Sequence, residues 1–184
     1  MSRTATIFGT IVADIANRAI SAASDGFIMA ESWKTRFTRW GFNWFPAYRG
    51  TGGRVTYIAA DWREIRVRLP LNWRTRNYVR TIFGGSMYGA VDPMYMIMLI
   101  KTLGPDYVVW DKAATIRFLR PGRETLYASF RLTADEVAGI RSDVDRLGKV
   151  EREFTVELVT AAGEAHAICQ KLLSIRRRDG VLGS

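Results

Sequence analysis

The chain is short of the residues that most often announce a mechanism. Its 184 residues include one cysteine, Cys169, and one histidine, His166. A single cysteine excludes an internal disulfide and a cysteine-built zinc cluster, and it fits a reducing compartment. Cys169 itself reads as a small buried hydrophobe. His166 is far in sequence from Ser86, so a Ser–His nucleophile pair has no support, and the histidine reads as a structural or surface residue. No apolar run reaches the ~18 residues of a membrane span. The best candidate, Thr4–Ala13, is short and runs at once into Asp14, Asn17 and Arg18, which also argues against a secretory signal. The expected location is the cytoplasm.

Acidic residues are in deficit as well. Eighteen Asp and Glu stand against 27 Lys and Arg, for a net charge of +9. Such a surface attracts something anionic: nucleic acid, anionic lipid, or the phosphates of a nucleotide-tailed substrate. Apart from Arg176, Arg177 and Arg178, the positive residues look scattered. No nucleic-acid-binding signature is present, so no nucleic-acid partner is expected, and the arginine triplet reads as a solvated tail. The remaining composition, 48% hydrophobic and 24% charged, is that of a soluble globular chain long enough for a full core.

Periodicity supplies the elements. Ile7, Ile11, Ile15 and Ala19 recur at helical spacing. A second helix is expected over about Phe27–Phe42, with Trp33, Phe37, Trp40 and Trp44 on one stripe and Lys34, Arg36 and Arg39 off it. Packing of that stripe against the body of the domain is the favoured expectation; a membrane surface is the alternative. After Gly50–Gly53 the period becomes two: Val55, Tyr57 and Ala59, then Ile65, Val67 and Leu69, mark strands with one buried face. Residues from about Gly85 to Leu103 are apolar on all sides, as befits a central helix stopped by Gly104-Pro105. Strands follow near Tyr107–Leu119 and Thr125–Leu132. A capping box at Thr133–Glu136 starts a helix to about Leu147. Two last strands, Val150–Thr160 and Glu164–Arg176, turn at Ala162-Gly163. There is no internal repeat.

The chemistry concentrates in Asn77–Asp92, NYVRTIFGGSMYGAVD. Paired glycines ahead of a helix let backbone N–H groups approach a ligand, and a helix start favours developing negative charge. Asp92 sits in an apolar stretch, where a carboxylate is costly unless paired or protonated, so it is a candidate for chemistry.

Asn77, Phe83-Gly84-Gly85 and Asp92 fall in the register of the thioesterase superfamily pattern: an Asn, then His-Gly-Gly, then a helix bearing an acid. The chain therefore resembles the hotdog fold, an α+β arrangement in which an antiparallel sheet of about six strands wraps one long central helix. The Phe-Gly-Gly-Ser variant with a long aromatic N-terminal extension looks most like the hotdog family DUF4442. The implied organisation is an N-terminal helical extension over residues 1–50, a hotdog domain over 51–178, and a tail over 179–184.

The resemblance implies an acyl-thioester hydrolase, with acyl-CoA or another acyl-thioester as substrate. Asp92 would be general base or nucleophile, the Gly85 N–H the oxyanion donor, and Asn77 would orient the acyl group or the water. Phe83, Gly84, Ser86 and Tyr88 are the candidate substrate-binding residues. No metal or other cofactor is implied; coenzyme A enters only as part of the substrate. Seven residues of helix separate Gly85 from Asp92 by about 10 Å, too far for both to touch one carbonyl. The site thus calls for two subunits, in a homodimer or homotetramer.

Alternatives stay open at several positions. Phe83 replaces the pattern's histidine. Asp92 before Pro93 is either a catalytic group on a kinked helix, with Gly89 easing the proline ring, or an N-cap of a helix beginning at Pro93. Asn77 either serves the site or closes a turn, and Ser86 reads equally as structural. Tyr88 and Tyr95 line an acyl pocket or pack the core. Arg117, Arg120 and Arg123 meet phosphates or solvent. A non-catalytic hotdog that binds acyl-CoA or fatty acyl ligands is the competing function.

Overall fold

Alternation of buried and exposed side chains sets the sheet. In the computed structural model, which describes residues 29–178, the element order is α1 (Trp33–Trp44), α2 (Pro46–Thr51), β1 (Arg54–Ile58), β2 (Glu64–Leu69), α3 (Gly84–Val91), α4 (Met94–Leu103), β3 (Tyr107–Phe118), β4 (Leu126–Arg131), α5 (Ala134–Leu147), β5 (Lys149–Val159) and β6 (Ala165–Arg177). The helix expected around Ile7–Ala19 lies outside the described residues, as does the 179–184 tail.

Leu126, Ala128 and Phe130 of β4 are buried while Tyr127, Ser129 and Arg131 point outward, the pattern of a strand with one face in the core. All six strands join one sheet in the order β1-β2-β4-β5-β6-β3, and every neighbouring pair is antiparallel. A turn at Gly163, with φ +85°, closes the β5–β6 hairpin; only a residue without a side chain adopts that conformation cheaply.

The buried side of the sheet packs on α3 and α4. Met87, Ala90, Val91, Met94, Met98 and Leu99 are at most 2% exposed, and burying a side chain such as Leu99 stabilises the fold by about 1.5–3 kcal/mol. The expected central helix is therefore present, but it bends at Asp92-Pro93. Asp92 keeps helical dihedrals (φ −50°, ψ −55°) and donates its N–H to the Tyr88 carbonyl. Pro93 has no N–H to continue the ladder, which interrupts the helix there. Gly89 also serves a contact that periodicity does not reveal: a Cβ there would lie 2.8 Å from Thr51 Cγ2, so its bareness lets α2 approach α3.

One expectation fails. Trp33, Phe37, Trp40 and Trp44 do not pack on the domain; they are 56–76% exposed. The inner face of α1 is instead largely polar. Thr35 is buried, and the Asn43 side chain brackets Val55, accepting from its N–H at 2.8 Å and donating to its carbonyl at 2.9 Å. Asn43 so occupies backbone groups on β1, one edge of the sheet. At the other edge, β3 is paired only with β6 among the described residues, and Trp110, Ala113, Ala114 and Thr115 are exposed along it.

Candidate active site

The start of α3 is built to leave donors open. Its N-cap is Phe83, whose side chain cannot cap. The Phe83 N–H is used by the Thr75 carbonyl at 2.8 Å, and Met87 N–H bonds back to the Phe83 carbonyl at 3.1 Å. The N–H groups of Gly84, Gly85 and Ser86 between them have no partner among the described residues. These are the orphan donors of a helix start, where the dipole adds positive potential. Space explains both glycines. A Cβ on Gly84 would sit 2.9 Å from Phe118 Cζ, and one on Gly85 would run into the Phe83 ring.

Beside this helix start is a cavity of about 490 Å³ lined by Asn77, Val79, Thr81, Ile82, Gly84, Met87 and residues 118–123. Its walls are mixed: Ile82, Met87, Phe118 and Leu119 give an apolar lining, and Arg120 and Arg123 stand at the polar side. Arg120 is committed to Glu164 at 3.1 Å and to the Ala165 carbonyl at 3.1 Å. Arg123 has no acidic partner among the described residues, and Arg117 does not line the cavity.

Asn77 is at the cavity wall, but its amide also closes a loop. Its Nδ2 donates to Thr81 Oγ1 at 2.9 Å, and its Oδ1 accepts from Thr81 N–H at 3.0 Å. Ser86 is buried at 7% exposure. His166 is buried too, and its Nδ1 donates to the Pro121 carbonyl at 3.1 Å, since a proline carbonyl can only accept. Its backbone carbonyl takes the N–H of Leu119 at 2.8 Å. The histidine therefore holds the loop that walls the cavity, a structural role.

Asp92 lies outside that cavity, two helical turns on. It caps nothing: α4 has no side-chain cap bond at its start, so the N-cap alternative is overturned. Its carboxylate meets Lys171 Nζ at 2.5 Å. Lys171 is 1% exposed and also lies 3.0 Å from Asp111 Oδ1, close enough for an ion pair although the angles fall short of a hydrogen bond. Asp92 retains 38% of its side-chain surface. Burial alone would pull the Lys171 pKa down; the Asp92 and Asp111 carboxylates outweigh it and hold the ammonium above its ordinary 10.5. The Lys171 ammonium also lies 5.6 Å from the centre of the Tyr88 ring. Burial first, then the Asp92 carboxylate, push the Tyr88 hydroxyl up to about 12, so it stays a neutral donor. Tyr95 packs in the core against Phe130 and Phe154 and donates to the Thr155 carbonyl. Cys169, two residues from Lys171, is a buried thiol pushed up to about 11 mainly by desolvation. No group of three or more His, Cys, Asp or Glu side chains suited to a metal occurs among the described residues.

Sequence reasoning missed Lys171 and Asp111, although the signal was there. Cys169, Lys171, Leu173 and Ile175 alternate inward on β6, so a lysine occupies a core-facing position. Asp111 continues the inward series of Tyr107 and Val109 just before a bulge at Lys112.

No curated protein matches the chain in sequence. Solved structures do. A Pseudomonas aeruginosa protein described as a probable thioesterase superposes with a TM-score of 0.70 at 20% identity, over 83% of this chain and 100% of that one. A Haemophilus influenzae thioesterase superposes with a TM-score of 0.61 at 12% identity, over 85% and 100%. A mutant thioesterase of Pseudomonas aeruginosa gives 0.59 at 12% identity, over 77% and 94%. Similarity at this level shows the fold, and the six-stranded antiparallel sheet packed on α3–α4 is the hotdog fold. The family described as Domain of unknown function (DUF4442) matches residues 34–175, most of the chain, and the chain belongs to that family.

Proposed function

We propose that the protein hydrolyses acyl-thioesters, with acyl-CoA as the substrate class. One observation carries the reading: a single bent helix offers three unpartnered N–H groups beside a cavity at its start and a part-exposed carboxylate two turns later. A thioester carbonyl seated on the Gly85 N–H gains its stabilisation as the oxyanion develops. Asp92 is the group that takes the proton of the attacking water or attacks the carbonyl itself. Lys171 and Asp111 fix its pose. Tyr88 is placed to donate to the carboxylate or to a substrate oxygen. The apolar lining suits the acyl part, and Arg123, without an acidic partner among the described residues, is the cation for the phosphates of the carrier.

About 10 Å of helix still separates Gly85 from Asp92, so the reading includes a homodimer. The open β3 edge offers the contact, because an unpaired strand is a template for another. Phe118 of β3 packs on Gly84, and Asp111 of β3 shares Lys171 with Asp92. Antiparallel pairing of two β3 strands centred near Ala114 sets the Gly84 end of one protomer opposite the Asp92 end of its partner. Ala114→Lys combined with Thr115→Lys puts like charges across that seam. The variant is expected to run as a monomer in light scattering and to lose turnover together with the dimer. A dimeric, active double variant would move the interface elsewhere.

The decisive experiment is hydrolysis of short, long and aromatic acyl-CoA by wild type and Asp92→Asn. A fall of at least ~100-fold with the fold intact is the expected result. The second reading, a non-catalytic acyl-CoA or fatty acyl binder, is favoured by one observation: the Asp92 carboxylate and the Asn77 amide are already engaged. Saturable binding without turnover, unchanged in Asp92→Asn, would select it.

A further inference from the structure

Two exposed stretches of aromatic and basic side chains meet on one face of the molecule. On α1, Trp33, Phe37, Trp40 and Trp44 are spaced four, three and four residues apart, which puts them on a single ridge, each more than half exposed. Lys34 and Arg36 flank the ridge on opposite sides by the same helical geometry. The Arg49 guanidinium lies 4.6 Å from the centre of the Trp44 ring. A small crevice lined by Asn43, Arg49, Arg54, Asn72 and Arg74 joins the end of the ridge to the loop that carries Trp73, itself 82% exposed.

Charge decides what such a ridge meets. Between Trp33 and Val91 the chain has eleven Lys and Arg but two acids, Asp61 and Glu64. Both acids are spent on neighbouring arginines, Asp61 on Arg63 and Glu64 on Arg66 and Arg131. Lys34, Arg49, Arg54 and Arg74 have no acidic partner among the described residues. Indole rings favour the headgroup level of a bilayer, where one part of the ring meets apolar and another polar surroundings. Unpaired Lys and Arg beside them add attraction for anionic headgroups.

We propose that α1 and the Trp73 loop form a docking face for anionic phospholipid bilayers, with the tryptophan ridge lying in the headgroup region. This is independent of the hydrolase reading, because it concerns residues outside the Gly85–Asp92 site and is tested without substrate.

The test uses the full chain with two kinds of vesicle: phosphatidylcholine alone, and phosphatidylcholine with about one-third phosphatidylglycerol. The expected result is co-sedimentation with the anionic vesicles, a blue shift of tryptophan emission, and weakening but not loss in high salt. Trp40→Ala with Trp44→Ala should lower the partition coefficient at least ~10-fold, since burial of large aromatic area is removed. Lys34→Glu with Arg49→Glu should abolish the preference for anionic lipid. Unchanged circular dichroism shows that each variant is folded. Three outcomes overturn the proposal. One is no binding to the anionic vesicles. Another is binding that the tryptophan changes leave intact, which is adsorption by charge alone. The third is a ridge whose emission follows protein concentration rather than lipid, which assigns it to a second copy of the chain.

Discussion

Helices α1 and α5 begin alike and end up inside out relative to one another. Both open with a complete capping box, Ser32 with Thr35 and Thr133 with Glu136, and both are amphipathic. α5 turns Ile140 and Val144 into the core and leaves Asp135, Glu136 and Asp145 in water. α1 turns a threonine and an asparagine inward and leaves three tryptophans and a phenylalanine outside. α5 is thus held by burial of apolar area, whereas α1 is held by the two hydrogen bonds of Asn43 to Val55 and by one apolar anchor, Phe42, packed on Tyr48. A helix whose apolar side is not needed by its own core keeps that side for another surface. The charges separate in the same sense, with acids on α5 and uncompensated arginines around α1.

The contrast is sharpest in what each helix loses on mutation. Ile140→Ala removes a side chain that is 2% exposed, and urea denaturation should show a loss of about 3 kcal/mol, within the range for emptying a core position. Asn43→Ala removes both hydrogen bonds to Val55 and unblocks the β1 edge. The expected loss is smaller, about 2 kcal/mol, because water reaches part of the vacated site. A larger loss from Asn43→Ala than from Ile140→Ala would reverse the reading of which helix depends on packing.

The same comparison explains what was readable from the residues alone. Two-residue alternation locates β2 and β4, since a sheet with one wet face imposes that pattern directly. In β1 the expected series Val55, Tyr57 and Ala59 is broken by a bulge after Val55 that turns Ile58 inward and leaves Tyr57 half-buried. The second half of β3 has no buried face to reveal. α5 follows from Thr133–Glu136 and the apolar stripe after it. For α1 the 3.6-residue period reveals a stripe and its width, but not whether the stripe faces in or out. That is settled by Phe42 and Asn43, whose contacts lie on α2 and β1. At the site, Asn77, Gly84, Gly85 and Asp92 were legible as a motif with fixed spacing. The ion pair that holds Asp92 was not, because Lys171 is 79 residues away and only the packing of the helix on β6 brings them together. Nor was the loop closure by Asn77 separable from a role in the site, since an asparagine does either with the same atoms.

The smallest expected effect is the most telling for the ridge. Trp40→Ala and Trp44→Ala each delete a large aromatic side chain, a change that in a core costs about 3–5 kcal/mol. Here both rings are more than half exposed, and the ring contacts they lose are with each other, at 6.0 Å between centres, with the exposed Phe37 and with Arg49. Thermal and urea unfolding of the lipid-free protein should therefore move by less than about 0.5 kcal/mol, as at ordinary surface positions. A loss of 2 kcal/mol or more would mean that protein already covers the ridge in solution, and α1 would then be an inward-packed helix like α5. A silent change in stability, set against a loss of vesicle binding in the same variants, separates a surface kept for a partner from one that belongs to the fold.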